Sequence, residues 1–117
     1  MHLEGPTSEE SCGGTGLGVY LDGDRICHLD WSIETSRQFI RREYFFENAI
    51  PKLAVETIHA KLDADAERLA EPRLLSVERY RVDVECLTKR QKELMDHIRF
   101  LIKDFQKNRK KFRCVAN

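Results

Sequence analysis

One line of residues constrains this chain more than any other feature. From Val77 to Phe112, positions alternately three and four apart read Val77, Tyr80, Val84, Leu87, Gln91, Leu94, Ile98, Leu101, Phe105, Asn108 and Phe112. Residues so spaced share one face of an α-helix. A mostly apolar stripe held over about five heptads is what a helix needs to lie along another helix. Gln91 and Asn108 are its polar members, and a buried amide at such a seam fixes register at a cost in stability. The spacing predicts a long helix over 75–112. From Leu94 onward Met95 and Ile102 widen the face, which suits a bundle rather than a two-stranded seam.

The rest of the chain is read around that helix. Residues 1–18 are polar and glycine-rich and are expected to be a flexible tail. Residues 19–117 are expected to form a single helical domain. Within it, Asp22-Gly23-Asp24 lies between two short apolar runs and marks a β-hairpin over 19–31. Residues 33–48 read as a helix that ends in an aromatic cluster, Phe39, Tyr44, Phe45 and Phe46. Pro51 fits the first turn of a new helix, with Asn48 as its cap. A second helix over 51–70 carries the stripe Val55, Ile58, Leu62, Ala66 and Leu69 and stops before Pro72. The fold class expected is mainly α: an antiparallel helical hairpin or bundle with a long C-terminal helix, of coiled-coil type, and a small N-terminal β-hairpin.

One segment supports a competing reading. Arg79, Arg81, Asp83 and Glu85 alternate with Tyr80, Val82, Val84 and Cys86, the period of a half-buried strand. Thr88 and Gln91 would then form a capping box that opens a shorter helix, Lys89 to Lys111. The alternative fold is α+β, with a three-stranded antiparallel sheet that includes residues 79–86.

Composition narrows the function. The 117 residues carry no net charge, but residues 1–72 hold 7 Lys and Arg against 14 Asp and Glu. Residues 73–117 hold 13 against 6. Such a split suits either the packing of acidic on basic parts or a nucleic-acid contact. No stretch approaches the roughly 20 apolar residues that span a bilayer, and the N-terminus lacks the basic start and apolar run of a secretion signal. No membrane partner is expected, and the default location is cytoplasmic. Cys12, Cys27, Cys86 and Cys114 are dispersed, so no zinc or redox spacing arises, no metal or cofactor is expected, and Cys86 reads as a small core residue.

Three functional readings follow. The first is a non-enzymatic protein-binding adaptor or regulator, expected to be a homodimer by its heptad face, with Leu87, Leu94, Ile98, Leu101, Phe105 and Phe112 at the interface. The second is a nucleic-acid-binding regulator. In it Lys107, Arg109, Lys110, Lys111 and Arg113 neutralise phosphates, while Phe105 and Phe112 stack on bases. The third rests on Arg90 and His97, seven residues apart, a spacing that resembles the Arg-x(4–6)-His pattern of the helical HEPN ribonucleases. That resemblance implies His97 as a proton shuttle and Arg90 as a phosphate stabiliser. Two shorter likenesses stand beside it. Gly13-Gly14-Thr15-Gly16-Leu17-Gly18 resembles the glycine box of histidine-kinase ATP-binding domains, though no Lys-Ser or Lys-Thr follows as in a phosphate loop. Leu87 to Ile98 resembles the opening helix of a repressor-type winged-helix domain.

Overall fold

The computed structural model describes residues 1–8, 15–61 and 73–115. Among these residues the chain forms one seven-stranded antiparallel sheet and a single α-helix. The strands are β1 (His2–Gly5), β2 (Thr15–Asp22), β3 (Arg25–Glu34), β4 (Gln38–Glu47), β5 (Ile50–Ala60), β6 (Arg73–Arg81) and β7 (Arg113–Cys114). The helix α1 is Lys89–Lys107, followed by a 3₁₀ turn at Arg109–Lys111. In the sheet the order is β6-β5-β4-β3-β2-β1-β7. The first six strands thus form a meander, and the helix returns the chain across one face to add β7 beside β1.

This architecture corrects the helical reading. Residues 33–48 hold the end of β3, a turn and all of β4, residues 51–60 lie in β5, and 62–70 of the expected second helix lies outside the described residues. The expected tail contains β1 and the start of β2. The long helix over 75–112 is instead β6, a connection over 82–88 and α1. The alternative three-stranded sheet is also superseded, since β6 ends at Arg81 and six other strands accompany it. Among the described residues there is no coiled coil and no bundle.

The heptad stripe is nevertheless a packing face; its cover is the chain's own sheet. Leu94, Ile98, Leu101 and Phe105 are buried on α1, against Leu3, Leu17, Val19, Leu29, Trp31, Tyr44 and Ala54 from the strands. These strand residues sit on one face because alternate side chains share a face and the register aligns them. Leu3 is opposite Val19, Val19 opposite Leu29, Leu29 opposite Tyr44, and Tyr44 opposite Ala54. Each aliphatic side chain fully buried this way contributes about 1.5–3 kcal/mol.

Turns and caps set the strand and helix limits. Gly23, at φ 62°, opens the two-residue turn between β2 and β3, where glycine takes the left-handed conformation without strain. The β4–β5 turn is Asn48-Ala49, with φ values of 51° and 65°. Two successive positive φ angles are the signature of the turn that matches strand twist in a hairpin. Asn48 therefore shapes a hairpin and does not cap a helix. At the start of α1, the Gln91 amide donates to Thr88 Oγ1 at 3.2 Å, and the Thr88 amide donates to Gln91 Oε1 at 2.7 Å. Gln91 Nε2 also donates to the carbonyl of Arg81 at 2.7 Å, which ties the helix start to the end of β6.

The far end of α1 is held by Asp104. Its carboxylate is buried and accepts hydrogen bonds from the Ser8 amide (3.1 Å), the Ser8 hydroxyl (2.5 Å) and Asn108 Nδ2 (3.2 Å). Phe112 then packs edge-on against Phe105, and the chain reaches β1.

Candidate functional site

The expected site residues fall into three places. Leu94, Ile98, Leu101, Phe105 and Phe112 are buried in the core and present no exposed interface; Leu87 is half-buried in the connection before α1. Lys107, Arg109, Lys110, Lys111 and Arg113 are all exposed at the end of the chain. The aromatic part of the nucleic-acid reading fails, because Phe105 and Phe112 are buried against each other and cannot stack on bases. Arg109 lies over the Phe105 ring at 5.0 Å and helps to cover it. Cys86 is exposed, not a core residue, as are Cys27 and Cys114, all with free thiols; Cys12 lies outside the described residues.

Arg90 and His97 do enter one polar cluster, between α1 and the inner face of the sheet. Glu56 is its centre. Glu56 projects inward from β5 opposite Arg42 of β4. Its Oε2 accepts from Arg42 Nε at 2.7 Å and from Arg90 Nη2 at 2.6 Å. His97 Nδ1 lies 2.6 Å from the Tyr44 hydroxyl and 3.3 Å from Arg42 Nη1. A guanidinium has no acceptor, so Nδ1 accepts from both neighbours and the ring is neutral, with its proton on Nε2. The Trp31 ring meets His97 edge-on at 4.4 Å, and Arg42 lies over the Trp31 ring at 5.1 Å.

The electrostatics follow from burial and pairing. Burial lowers the His97 pKa to about 4, and the positive charge of Arg42 adds to that. Burial alone would raise the Glu56 carboxyl, but hydrogen bonds from Arg42 and Arg90 outweigh it and hold the group below the usual range. Tyr44 is pushed up by burial and stays a hydroxyl donor. A histidine that stays neutral down to such acidity, buried between a tryptophan and a tyrosine, is poorly placed to shuttle protons. The helical fold that the ribonuclease resemblance implies is absent as well. The cluster clamps α1 to β4 and β5.

No family model, curated protein or solved structure matches the chain. Any functional reading therefore rests on surfaces, and two chemistries can be limited first. Among the described residues, no group of three or more His, Cys, Asp or Glu side chains is placed to hold a metal ion. Among the same residues no helix is long and apolar enough to cross a membrane.

The surface that stands out is β6. Among the described residues it is the outermost strand, paired to β5 on one side only. A long open edge offers unpaired N–H and C=O groups to any extended chain, and proteins that do not use such an edge shield it. Here three aliphatic side chains along it are exposed: Leu74 at 52%, Leu75 at 48% and Val77 at 42%. They continue onto the outer face of the sheet, the side away from α1. Leu74 is opposite His59, which is opposite Phe39, and Val55 and Leu53 lie further along β5. Phe39 and Phe45 are themselves exposed.

The charges of β6 are as informative. Among the described residues, Arg73 and Arg79 have no acidic partner. Arg81 is held by Asp83 through two hydrogen bonds of 3.1 and 2.9 Å, and Glu78 accepts from the Tyr80 hydroxyl. The edge is therefore apolar in its first half, with unpaired guanidiniums on either side of that half. Sequence reasoning missed this surface because Val77 and Tyr80 were absorbed into the helical stripe.

Proposed function

We propose that this chain is a non-enzymatic protein-binding module that takes an extended segment of another protein alongside β6 as an additional strand. The observation that carries the reading is the open β6 edge with Leu74, Leu75 and Val77 exposed along it. Strand addition draws affinity from main-chain hydrogen bonds and specificity from alternate side chains. The fitting segment has aliphatic residues to meet Leu74 and Val77 and acidic residues to meet Arg73 and Arg79.

Charge argues for a different protein rather than a second copy. Two copies of β6 continuing one sheet pair antiparallel about a residue on the two-fold axis. An axis at Val77 sets Arg73 against Arg81; one at Ser76 sets Arg73 against Arg79; one at Glu78 sets that carboxylate against itself. Like charges directly opposite are destabilising, and the two registers that oppose arginines repeat the clash by symmetry.

The test uses the whole chain, labelled for nuclear magnetic resonance, and synthetic peptides of alternating valine and glutamate or valine and lysine. The expected result is saturable binding of the acidic peptide, with amide shifts and slowed hydrogen exchange confined to β6 and its neighbours. Binding is lost in Leu74→Lys and Val77→Lys, whose side chains are exposed and whose replacement leaves the fold intact. Equal binding of both peptides, no binding of either, or dimerisation of the free chain through β6 would overturn the proposal.

A further inference from the structure

At the opposite end of the outer face the sheet is hollow. Gly16 and Gly18, alternate residues of β2, both point outward there, Gly18 opposite Glu4 of β1 and Asp30 of β3, Gly16 opposite Ser32. Neither has the positive φ that would make glycine a backbone necessity. Glycine inside a strand weakens it and often marks where a ligand or another chain approaches closely. The two positions differ in what occupies their space. A Cβ on Gly18 would come within 3.1 Å of His2 Nε2, so the imidazole lies over it. A Cβ on Gly16 would meet only Ser32 Oγ, at 3.7 Å. The hollow above Gly16 is a cavity of about 650 Å³, within the size range of sites for small molecules.

Its walls divide by charge. On one side the chain end contributes Lys111 and Arg113, which have no acidic partner among the described residues; Arg113 is opposite Glu4 in the β1–β7 pairing. On the other side Asp30 holds Arg41 in a two-pronged pair at 2.9 and 2.7 Å. Arg41 is thereby neutralised and fixed, whereas among the described residues neither Lys111 nor Arg113 is held in a salt bridge, although Glu4 stands opposite Arg113. Glu4, whose Oε1 lies 3.4 Å from His2 Nε2, Asp30, whose oxygens each keep a second lone pair, and the Ser32 hydroxyl offer further acceptors in the same hollow.

From this arrangement we infer that the cavity binds a small hydroxyl-rich organic phosphate. The phosphate lies between Lys111 and Arg113, whose two positive charges match its dianion. The hydroxyls of the ligand donate to Glu4, Asp30 and Ser32, and its body occupies the space above Gly16. A simple carboxylate would leave one cation unmatched and would face the two acidic side chains without donors to satisfy them. This site is separate from the β6 edge, and its test is independent of partner binding.

The decisive variant is Gly16→Val. It fills the cavity floor, while a β-branched residue in a strand raises the local strand preference, so the protein folds at least as well as before. Glucose 6-phosphate, glycerol 3-phosphate and adenosine monophosphate serve as probes, with glucose and inorganic phosphate as controls. Binding is followed by amide shifts of Gly16, Gly18 and Ser32 and by calorimetry. At least one organic phosphate is expected to bind about tenfold or more tighter than either control. Gly16→Val should abolish that binding with an unchanged or higher melting temperature, and Lys111→Gln with Arg113→Gln should weaken it by about tenfold or more. No saturable shift with any probe up to about 10 mM, or binding that survives Gly16→Val, would overturn the inference. So would inorganic phosphate binding as tightly as the organic phosphates, which would reduce the site to two surface cations. A single-stranded oligonucleotide that outcompetes every probe and binds Gly16→Val equally well would assign those cations to nucleic acid instead.

Discussion

The Tyr44 hydroxyl lies 2.6 Å from His97 Nδ1, a contact between residues 53 apart in sequence that joins the middle of the sheet to the middle of the helix. It is made by a neutral imidazole, and it is one part of a polar cluster that otherwise depends on the Arg42–Glu56–Arg90 pairing. The stability of the fold should therefore respond to acid in two steps.

His97 titrates near its ordinary value of 6.5 when unfolded and at about 4 when folded. Between those values the unfolded chain binds more protons, so stability falls as pH falls from about 6.5 to about 4. The loss from this group alone should be roughly 1–3 kcal/mol. Glu56, held below the usual range, adds a further loss that begins as pH drops through the unfolded carboxyl value of about 4.5 and continues below it. Urea unfolding at a series of pH values checks this. In His97→Phe, which keeps a ring against Trp31, the upper step should disappear while the lower one remains. A variant with the same slope between pH 6.5 and 5 as the parent would mean that another group titrates there.

Glu56 is the single acceptor shared by two guanidiniums, with its side chain 8% exposed. Removing one partner of a fully buried ion pair costs about 3–5 kcal/mol because the remaining charge stays desolvated. The Arg90 side chain is 33% exposed and so recovers part of its hydration. Glu56→Ala should therefore destabilise by about 2–3 kcal/mol. Replacing the three together, Arg42→Met, Glu56→Leu and Arg90→Met, should restore most of that loss, since apolar residues of similar volume substitute for such triads at little cost. Chemical denaturation of both variants tests the pair of expectations. A triple variant as unstable as Glu56→Ala would show that the charges are needed for packing order rather than merely for each other.

That triad also explains why the sheet was hard to read in the sequence. A half-buried strand announces itself by alternating apolar and polar residues, yet in β4 and β5 the inward positions Arg42 and Glu56 are charged. The outward positions Phe39, Phe45, Leu53 and Val55 are apolar. Alternation is thus erased where the clamp lies, and Val55 and Ile58, on opposite faces of β5, imitate a helical step of three. The capping box at Thr88 and Gln91 and the Gly23 turn were legible because their chemistry is local. So was the packing stripe of α1 from Leu94 to Phe105, although its partner was not, since periodicity identifies a face and not what covers it. The β6 edge and the cavity above Gly16 depend on strand order and register, which local sequence does not encode.

The β4–β5 turn was hidden for a related reason: it lacks the glycine that usually signals it. Ala49 takes φ 65°, a conformation that costs an L-residue roughly 1–2 kcal/mol. Ala49→Gly removes that strain but gives the unfolded chain more freedom, so the net gain should be about 1 kcal/mol or slightly less. Ala49→Val should lose at least as much, because a β-branched residue tolerates the left-handed region worse. Thermal unfolding of the two variants orders them as Gly, parent, Val. Any other order would mean that Ala49 does not hold this conformation in solution.

Gly5 and Phe112 make a stricter demand. A Cβ built on Gly5 falls 2.6 to 2.8 Å from Cγ, Cδ1 and Cδ2 of the Phe112 ring, far inside contact distance. The ring is buried and braced by Phe105 at a centroid separation of 4.8 Å, so it has little room to withdraw. Gly5→Ala should therefore destabilise by about 1–3 kcal/mol, the usual range for overpacking a tight site. Phe112→Leu removes the ring edge and costs packing of its own, but it makes room for the added methyl. The double variant should consequently be more stable than the sum of the two single losses predicts, with a coupling of about 0.5–3 kcal/mol. Because Phe112 immediately precedes β7, Gly5→Ala should also speed hydrogen exchange at the amide of Val115, which donates to the His2 carbonyl at 2.8 Å. Strict additivity, together with unchanged exchange at Val115, would show that the ring does not rest on Gly5.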